Sequence, residues 1–354
     1  MIMLPRTLDV IDRHWLSGAL QQRFPGVVVT SAETVRTIAG TATKRLIRLE
    51  YNESGRSAGL PPTMCIKGGF DPGHFDLFAD TLLYMTEGRF FRELAGDLNV
   101  RLPRSYYADY DERQGIVLLE DLSVEGVEFC RSTKHVSVEL VAASNRNLAR
   151  LHARWWDSPQ LDGWDWIQMP LQEDTGLQYF RSTSSPELIA RRLASHRGAV
   201  VPPEVRDPQA IYGSMLKLVP LIQRRPHSLL HADPHIGNVY VSSEYGPGFV
   251  DFQQVRKGYW ALDYTYHTVS SLDIDDRRRH EADLLRQYLE ELRALGVAAP
   301  GFDAAWLDYR RNVAYGLIAW LCNPEFCQPE DINVATAARF AAAAADLETF
   351  RSLM

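Results

Sequence analysis

The chain has 354 residues, 45% of them hydrophobic and 23% charged, with a formal net charge of −7 at neutral pH. That hydrophobic content is enough to bury a sizeable core and excludes global disorder, and the length allows two domains or lobes. The acidic balance, with no basic run longer than Arg277-Arg278-Arg279, argues against a nucleic-acid-binding surface.

Leu8, Ile11, Trp15, Leu16 and Leu20 recur at helical spacing, which predicts a helix over Leu8 to Phe24, ended by Pro25-Gly26. Short strands are expected at Val27 to Thr30, Thr34 to Ile38 and Arg45 to Tyr51, where Ile47, Leu49 and Tyr51 alternate with Arg48 and Glu50. Ala39 to Thr43 connects the last two, and Asn52 to Pro62 reads as a surface loop. Thr63 to Lys67 reads as another strand, before Gly68-Gly69. A helix from about Phe75 to Leu94 carries Phe78, Leu82, Met85, Phe90 and Leu94 on its apolar positions. Ser105 to Tyr110 and Gly115 to Leu119 form a further strand pair that runs into Glu120-Asp121-Leu122.

From Val136 to Trp156 the periodicity turns helical, and little strand signal returns before Ser228, so the lobe boundary falls near Asp121. The domains expected are residues 1–120, with the N-terminal helix, and residues 121–354. Trp155, Trp156, Trp164 and Trp166 crowd one segment, where core packing is favoured over a pocket lining. Tyr264 to Leu272, Ile274 to Leu295, Phe302 to Cys322 and Asp331 to Leu353 read as helices, the last alanine-rich.

The chemistry concentrates between Ser228 and Phe252. Val239 to Val241 and Phe249-Val250 are β-branched and aromatic runs around a Gly/Pro-containing loop, a hairpin pattern. In an antiparallel pair Asn238, entering the first strand, and Asp251, leaving the second, are expected at the same end. Asp233 lies in the turn before Asn238, bent by Pro234 and Gly237. An amide oxygen and a carboxylate suit a hard divalent ion holding phosphate oxygens, while a second carboxylate takes a proton from a hydroxyl. That combination is kinase chemistry.

His231-Ala232-Asp233-Pro234-His235-Ile236-Gly237-Asn238, followed by Val250-Asp251-Phe252-Gln253, resembles the H-x-D-x-x-x-x-N and D-F-x pair of aminoglycoside phosphotransferase-like kinases, especially their ecdysteroid-kinase-like branch. The resemblance implies an α+β, two-lobed protein-kinase-like fold: a small β-rich lobe and a larger, mainly helical one. It implies ATP and Mg2+ as cofactors, Asp233 as catalytic base, and Asn238 and Asp251 as magnesium ligands. By the same resemblance Gly40, Thr41 and Thr43 belong to the loop over the nucleotide phosphates, although that loop has one glycine only. Lys67 matches the strand lysine that holds phosphates, and Glu87, twenty residues on, matches its helix partner, with Glu93 as the fallback. Glu120 and Leu122 mark the hinge that bonds adenine through its backbone, and Asp263 either caps the following helix or braces the catalytic loop.

The function expected is transfer of the ATP γ-phosphoryl group to a hydroxyl of a small molecule. One alternative is a catalytically inactive nucleotide-binding or interaction module. Another is a metallohydrolase built on His231, Asp233 and His235, which would leave Asn238 and Asp251 without a role. Asp273, Asp275 and Asp276 adjoin three arginines, so no polycation pocket is evident there. The aromatic residues Trp306, Tyr309, Tyr315 and Trp320 suit a neutral or weakly polar acceptor, sterol-like or hydroxyacyl, rather than an aminoglycoside. Cys65, Cys130, Cys322 and Cys327 are scattered without C-x-x-C spacing, as expected of free thiols in a reducing compartment. Charged residues interrupt the N-terminal apolar run, and no stretch approaches the roughly twenty apolar residues of a membrane span. No membrane partner and a cytoplasmic location are therefore expected, with the oligomeric state open.

Overall fold

A computed structural model describes residues 4–73, 75, 82–124, 126–172 and 176–354. Phe78 and the residues around it lie outside this set. The chain forms two compact units, and the first comprises Met1–Leu98, Leu102–Val127 and, from far along the sequence, Val250–Gln254. The second comprises Asn99–Arg101, Glu128–Phe249 and Val255–Met354.

The first unit is built on a five-stranded antiparallel sheet of order β1-β2-β3-β5-β4, from β1 (Val29–Ile38), β2 (Thr43–Tyr51), β3 (Thr63–Gly68), β4 (Ser105–Tyr110) and β5 (Gly115–Glu120). The N-terminal helix α1 (Arg13–Gln21) starts later than its apolar spacing predicts. Asp12 is extended, and its carboxylate accepts from the His14 and Trp15 amides at 2.9 Å, so the cap fixes the start. Leu8–Val10 before it is a separate 3-10 turn. Two expected strands merge into β1, because Ser31, Ala32 and Glu33 also pair, with Glu50, Leu49 and Arg48. The expected loop after β2 contains a short helix, α2 (Glu53–Ser57), because the Asn52 side chain accepts from the Gly55 amide at 3.1 Å. Ile47, Leu49 and Tyr51 point into the core with Leu16, Leu20, Met64, Ile66 and Leu118, while Arg48 and Glu50 are exposed.

The next helix, α3 (Leu83–Glu93), lies against β4 and β5. Two glycines permit the close approach: a Cβ on Gly115 would stand 1.9 Å from the Tyr84 carbonyl oxygen, and one on Gly88 2.7 Å from that of Asp109. This contact sets where α3 presents Glu87.

The second unit is mainly helical. It includes most of β6 (Val127–Phe129), and then α4 (Val138–Arg154), whose Ser137 cap hydroxyl accepts from the Leu140 amide. Then come α5 (Pro159–Gly163), α6 (Gly176–Thr183), α7 (Pro186–Ala194) and α8 (Pro208–Ile222), in a stretch where periodicity had assigned nothing. Next are β7 (Ser228–Leu230), the hairpin β8 (Val239–Ser242) and β9 (Gly246–Phe249), and β10 (Arg256–Gly258). The hairpin is antiparallel with Val239 opposite Phe249, and its loop is shorter than expected because Ser242 pairs with Gly246. β7 pairs with β10.

The helices α9 (Ala261–Ser271), α10 (Ile274–Ala294), α11 (Phe302–Cys322) and α12 (Glu330–Asp346) complete the unit. The alanine-rich helix stops at Asp346 rather than Leu353, since Glu348 is left-handed at φ 47° before a short turn, Thr349–Ser352. Its close packing follows expectation: a Cβ on Gly316 of α11 would fall 1.9 Å from a Phe340 ring carbon. Trp155 and Trp166 are buried, as core packing requires. No helix among the described residues is long and apolar enough to cross a membrane.

Candidate active site

In the first unit the structure brings together three of the residues picked from sequence. Lys67 leaves the central strand β3 with its side chain 4% exposed, and its Nζ lies 2.7 Å from Glu87 and 2.9 Å from Asp251. A buried ammonium is costly unless paired. Burial pushes Lys67 down, but the Asp251 and Glu87 carboxylates outweigh it and the net shift is upward, so the group stays an ammonium. Burial pushes the Glu87 carboxyl up while Lys67 pulls against it. Glu87 also accepts from the Phe252 amide at 3.1 Å, and the Phe252 ring stacks on Phe90 at 4.2 Å, so α3 holds the segment that carries Asp251. Asp251 itself is left-handed at φ 70°, a costly conformation for a non-glycine residue that tends to occur at functional sites. Lys44, which the sequence reading passed over, places its Nζ 3.8 Å from the second Asp251 oxygen.

The other first-unit candidates are arranged nearby in sequence but do different things. Gly40 and Thr41 occupy the β1–β2 turn, where the Thr41 carbonyl accepts from the Tyr84 hydroxyl at 2.7 Å. Thr43 is buried within β2, opposite Gly68, rather than in the turn. Glu120 ends β5 and accepts from the Arg104 amide at 3.0 Å, Leu122 is buried, and Glu93 pairs with Arg89 and Tyr110 instead of Lys67.

In the second unit the structure brings Asp233 and Asn238 together on one loop. The Asn238 amide nitrogen donates to the Asp233 carbonyl at 2.8 Å and to its carboxylate at 3.3 Å. Its amide oxygen is thereby turned away from Asp233. The loop is held from below by one face of α9, at spacing i, i+4, i+7. The Asp263 carboxylate accepts from the His231 and Ala232 amides at 2.7 and 2.9 Å, His267 Nδ1 donates to the Pro234 carbonyl at 2.8 Å, and the Ser270 hydroxyl accepts from the Ile236 amide at 3.2 Å. Of the two roles expected for Asp263, bracing is therefore the one observed, and no side chain caps α9. The brace keeps Ala232 left-handed at φ 62°.

His152 of α4 completes the support, its ring between Asp263, at 3.2 Å, and the Tyr288 hydroxyl, at 2.6 Å. His267 is fully buried, which lowers its pKa to about 4 and keeps the ring neutral. His152, His267 and Ser270 were missed in the sequence, although buried-helix polar residues in register with Asp263 were a readable signal.

Both histidines of the His-x-Asp-x-His pattern are scaffold groups. His231 Nδ1 accepts from the Asp233 amide at 3.3 Å, and His235 Nδ1 accepts from the Gly237 amide at 3.1 Å. Among the described residues the one cluster with metal-ligand spacing is His135, Asp273 and Asp276, so the pattern does not form a transition-metal site. With Nδ1 occupied as acceptor, His235 carries its proton on Nε2, 3.9 Å from the Asp233 carboxylate. The Tyr266 hydroxyl hydrogen-bonds to Asp233 and is pushed well above its ordinary pKa by burial and then by that carboxylate. Tyr266 packs on Tyr315 at 5.4 Å and His235 on Trp320 at 5.1 Å, so two of the four aromatic residues expected near an acceptor lie around Asp233. Tyr309 instead packs in the core against Tyr264. Asp233 remains 35% exposed, reachable by a ligand.

Residues 79–305, well over half of the chain, match the pattern of the phosphotransferase enzyme family. The chain belongs to that family. The resemblance read from His231–Asn238 and Val250–Gln253 holds. Among solved structures, a spectinomycin phosphotransferase in complex with ADP and spectinomycin shares the fold at TM-score 0.55 and 12% identity, covering 96% of this chain and 99% of that one. An ethanolamine kinase from Plasmodium vivax aligns at TM-score 0.51 and 14% identity, over 91% and 84% of the two chains. The choline kinase LicA from Streptococcus pneumoniae aligns at TM-score 0.50 and 14% identity, over 90% and 94%. No curated protein sequence matches the chain. The fold is α+β and protein-kinase-like, and this family member is a phosphotransferase enzyme.

Proposed function

We propose that this phosphotransferase is a small-molecule kinase that moves the γ-phosphoryl group of ATP to a hydroxyl. The observation that carries the reading is the buried Lys67 ammonium held between Glu87 and Asp251. One cation with two carboxylates is arranged to keep its charge where a phosphate oxygen would meet it. In this reading the acceptor oxygen bonds to the γ-phosphorus, the bond from that phosphorus to the ADP oxygen breaks, and the hydroxyl proton passes to Asp233. Asp233 is suited to this because the two residues before it are pinned by Asp263 and its own amide by His231, while its carboxylate stays accessible.

Asn238 and Asp251 would hold magnesium, which supplies positive charge against the phosphate oxygens. Their fit is supported by donor chemistry, an amide oxygen turned away from Asp233 and a carboxylate, both hard oxygen ligands. Gly40 and Thr41 would offer turn amides to the phosphates with Thr43 as buried support, and the backbone at Glu120 and Leu122 would face the adenine. ADP in the spectinomycin phosphotransferase supports an adenine nucleotide as donor.

The test is ADP release from purified protein with ATP and Mg2+ over a panel of hydroxylated compounds, beside thermal shift with nucleotide. Metal-dependent stabilisation by ATP and acceptor-dependent ADP release are expected. No nucleotide binding, or full activity in excess EDTA, would remove the reading.

A further inference from the structure

The second unit holds a cation, on a strand paired with the segment that leads into the Asp233 loop, that none of the preceding roles uses. Arg256 opens β10, and in the β7–β10 ladder it stands opposite Leu230, the residue immediately before His231. The ladder therefore anchors Arg256 to the root of the loop that carries Asp233. Its guanidinium, with five N–H donors, makes one hydrogen bond among the described residues, from Nη1 to the adjacent Val255 carbonyl at 2.9 Å, and has no carboxylate within ion-pair distance. Four other arginines embedded in this unit are matched by carboxylates: Arg197 with Glu330, Arg277 with Glu281 and Asp346, Arg339 with Asp273 and Arg224 with Asp308. Arg256 is only partly exposed, and burial lowers its pKa.

Its ionisable neighbour is the Tyr315 phenol, which is also under the influence of the Asp233 carboxylate. Tyr315 thus feels both the base and the guanidinium, and Tyr266 packs against its ring. A recessed guanidinium with unfilled donors is an anion site by its chemistry, since planar N–H pairs match a carboxylate bidentately. It also disfavours an ammonium at the same place.

We propose that Arg256 binds a carboxylate of the acceptor, so that the substrate is a hydroxy acid whose hydroxyl reaches Asp233 while its carboxylate reaches Arg256. This rests on the kinase reading above and changes its substrate: the acceptor is anionic at one end, with apolar atoms between the two groups against the aromatic side chains. A polycationic sugar or a quaternary amino alcohol would place positive charge against Arg256.

The test uses the full chain with ATP and Mg2+ and three matched sets of probes: the positional isomers of hydroxyhexanoate, their methyl esters, and the corresponding aminohexanols. The readout is the ratio of kcat/KM for acid over ester within each variant, which cancels any loss of folded enzyme. The wild type is expected to favour at least one acid over its ester by ~10- to 100-fold, the discrimination available from a charge-assisted pair. That ratio should fall toward one in Arg256→Gln and recover in part in Arg256→Lys. Esters or aminohexanols turned over as well as the acids, or an acid preference kept in Arg256→Gln, would overturn the proposal while leaving the kinase reading in place. If no probe is phosphorylated, thermal shift separates the two. Nucleotide bound with no stabilisation by any acid overturns the Arg256 proposal alone, and no nucleotide bound removes the kinase reading and this one with it.

Discussion

In the proposed reaction Asp233 and Lys67 are the two side chains whose chemistry is needed, and their surroundings explain how they would keep it. Asp233 is an accessible carboxylate on an over-determined loop, so its replacement by asparagine removes the base with little change of shape. Turnover in Asp233→Asn is expected to fall by roughly 10²- to 10⁴-fold, with nucleotide affinity nearly unchanged. Steady-state kinetics beside ATP titration checks this, and near-wild-type turnover would reassign the base. Lys67 differs because its partners are buried with it. Lys67→Met leaves Glu87 without its cation and Asp251 with only the more distant Lys44, so both lower stability and about a 10²-fold loss of kcat are expected. A variant that is destabilised but fully active would make the lysine structural only.

At the scale of elements, α9 is the organising piece of the second unit. Its Asp263, His267 and Ser270 share a face, and that face fixes the backbone from His231 to Ile236. Asp263→Asn puts an amide N–H against an amide donor of the loop, an unmatched buried pair that costs about 1–3 kcal/mol. A lowered Tm together with a lowered kcat is expected, whereas loss of Tm with kcat intact would separate the brace from catalysis. Elements were legible where periodicity was strong: Phe302–Cys322 falls where its apolar spacing puts it. They were misread where a local cap decided. Asp12 and Asn52 each start a helix through one side-chain oxygen, which hydrophobic spacing does not record.

For the molecule as a whole, pH dependence follows from a buried neutral histidine. His267, near 6.5 when unfolded, titrates at about 4 in the native state, and Asp263 and His231 act on it in opposite directions. The unfolded chain therefore binds the proton first. The stability linked to His267 is complete above pH 6.5 and is lost as pH falls toward 4, amounting to about 3 kcal/mol. Denaturant titrations of wild type and His267→Gln between pH 7 and 4 should diverge, with the wild type steeper; parallel curves would assign the acid lability elsewhere.

The sequence by itself determined the kinase-like class and marked the residues to which the proposed chemistry is given, because Asp233, Asn238 and Asp251 lie close along the chain and their spacing carries the pattern. It also marked Lys67 and Glu87, although only as members of an ordered series. Tertiary structure alone decided that Val250–Gln254 joins the first unit, where Phe252 stacks on Phe90 and Asp251 meets Lys67. It alone left Arg256 without a carboxylate among the described residues while matching Arg197, Arg277 and Arg339. Pairing of a charge depends on which residues converge from distant parts of the chain, and neither periodicity nor composition contains that information.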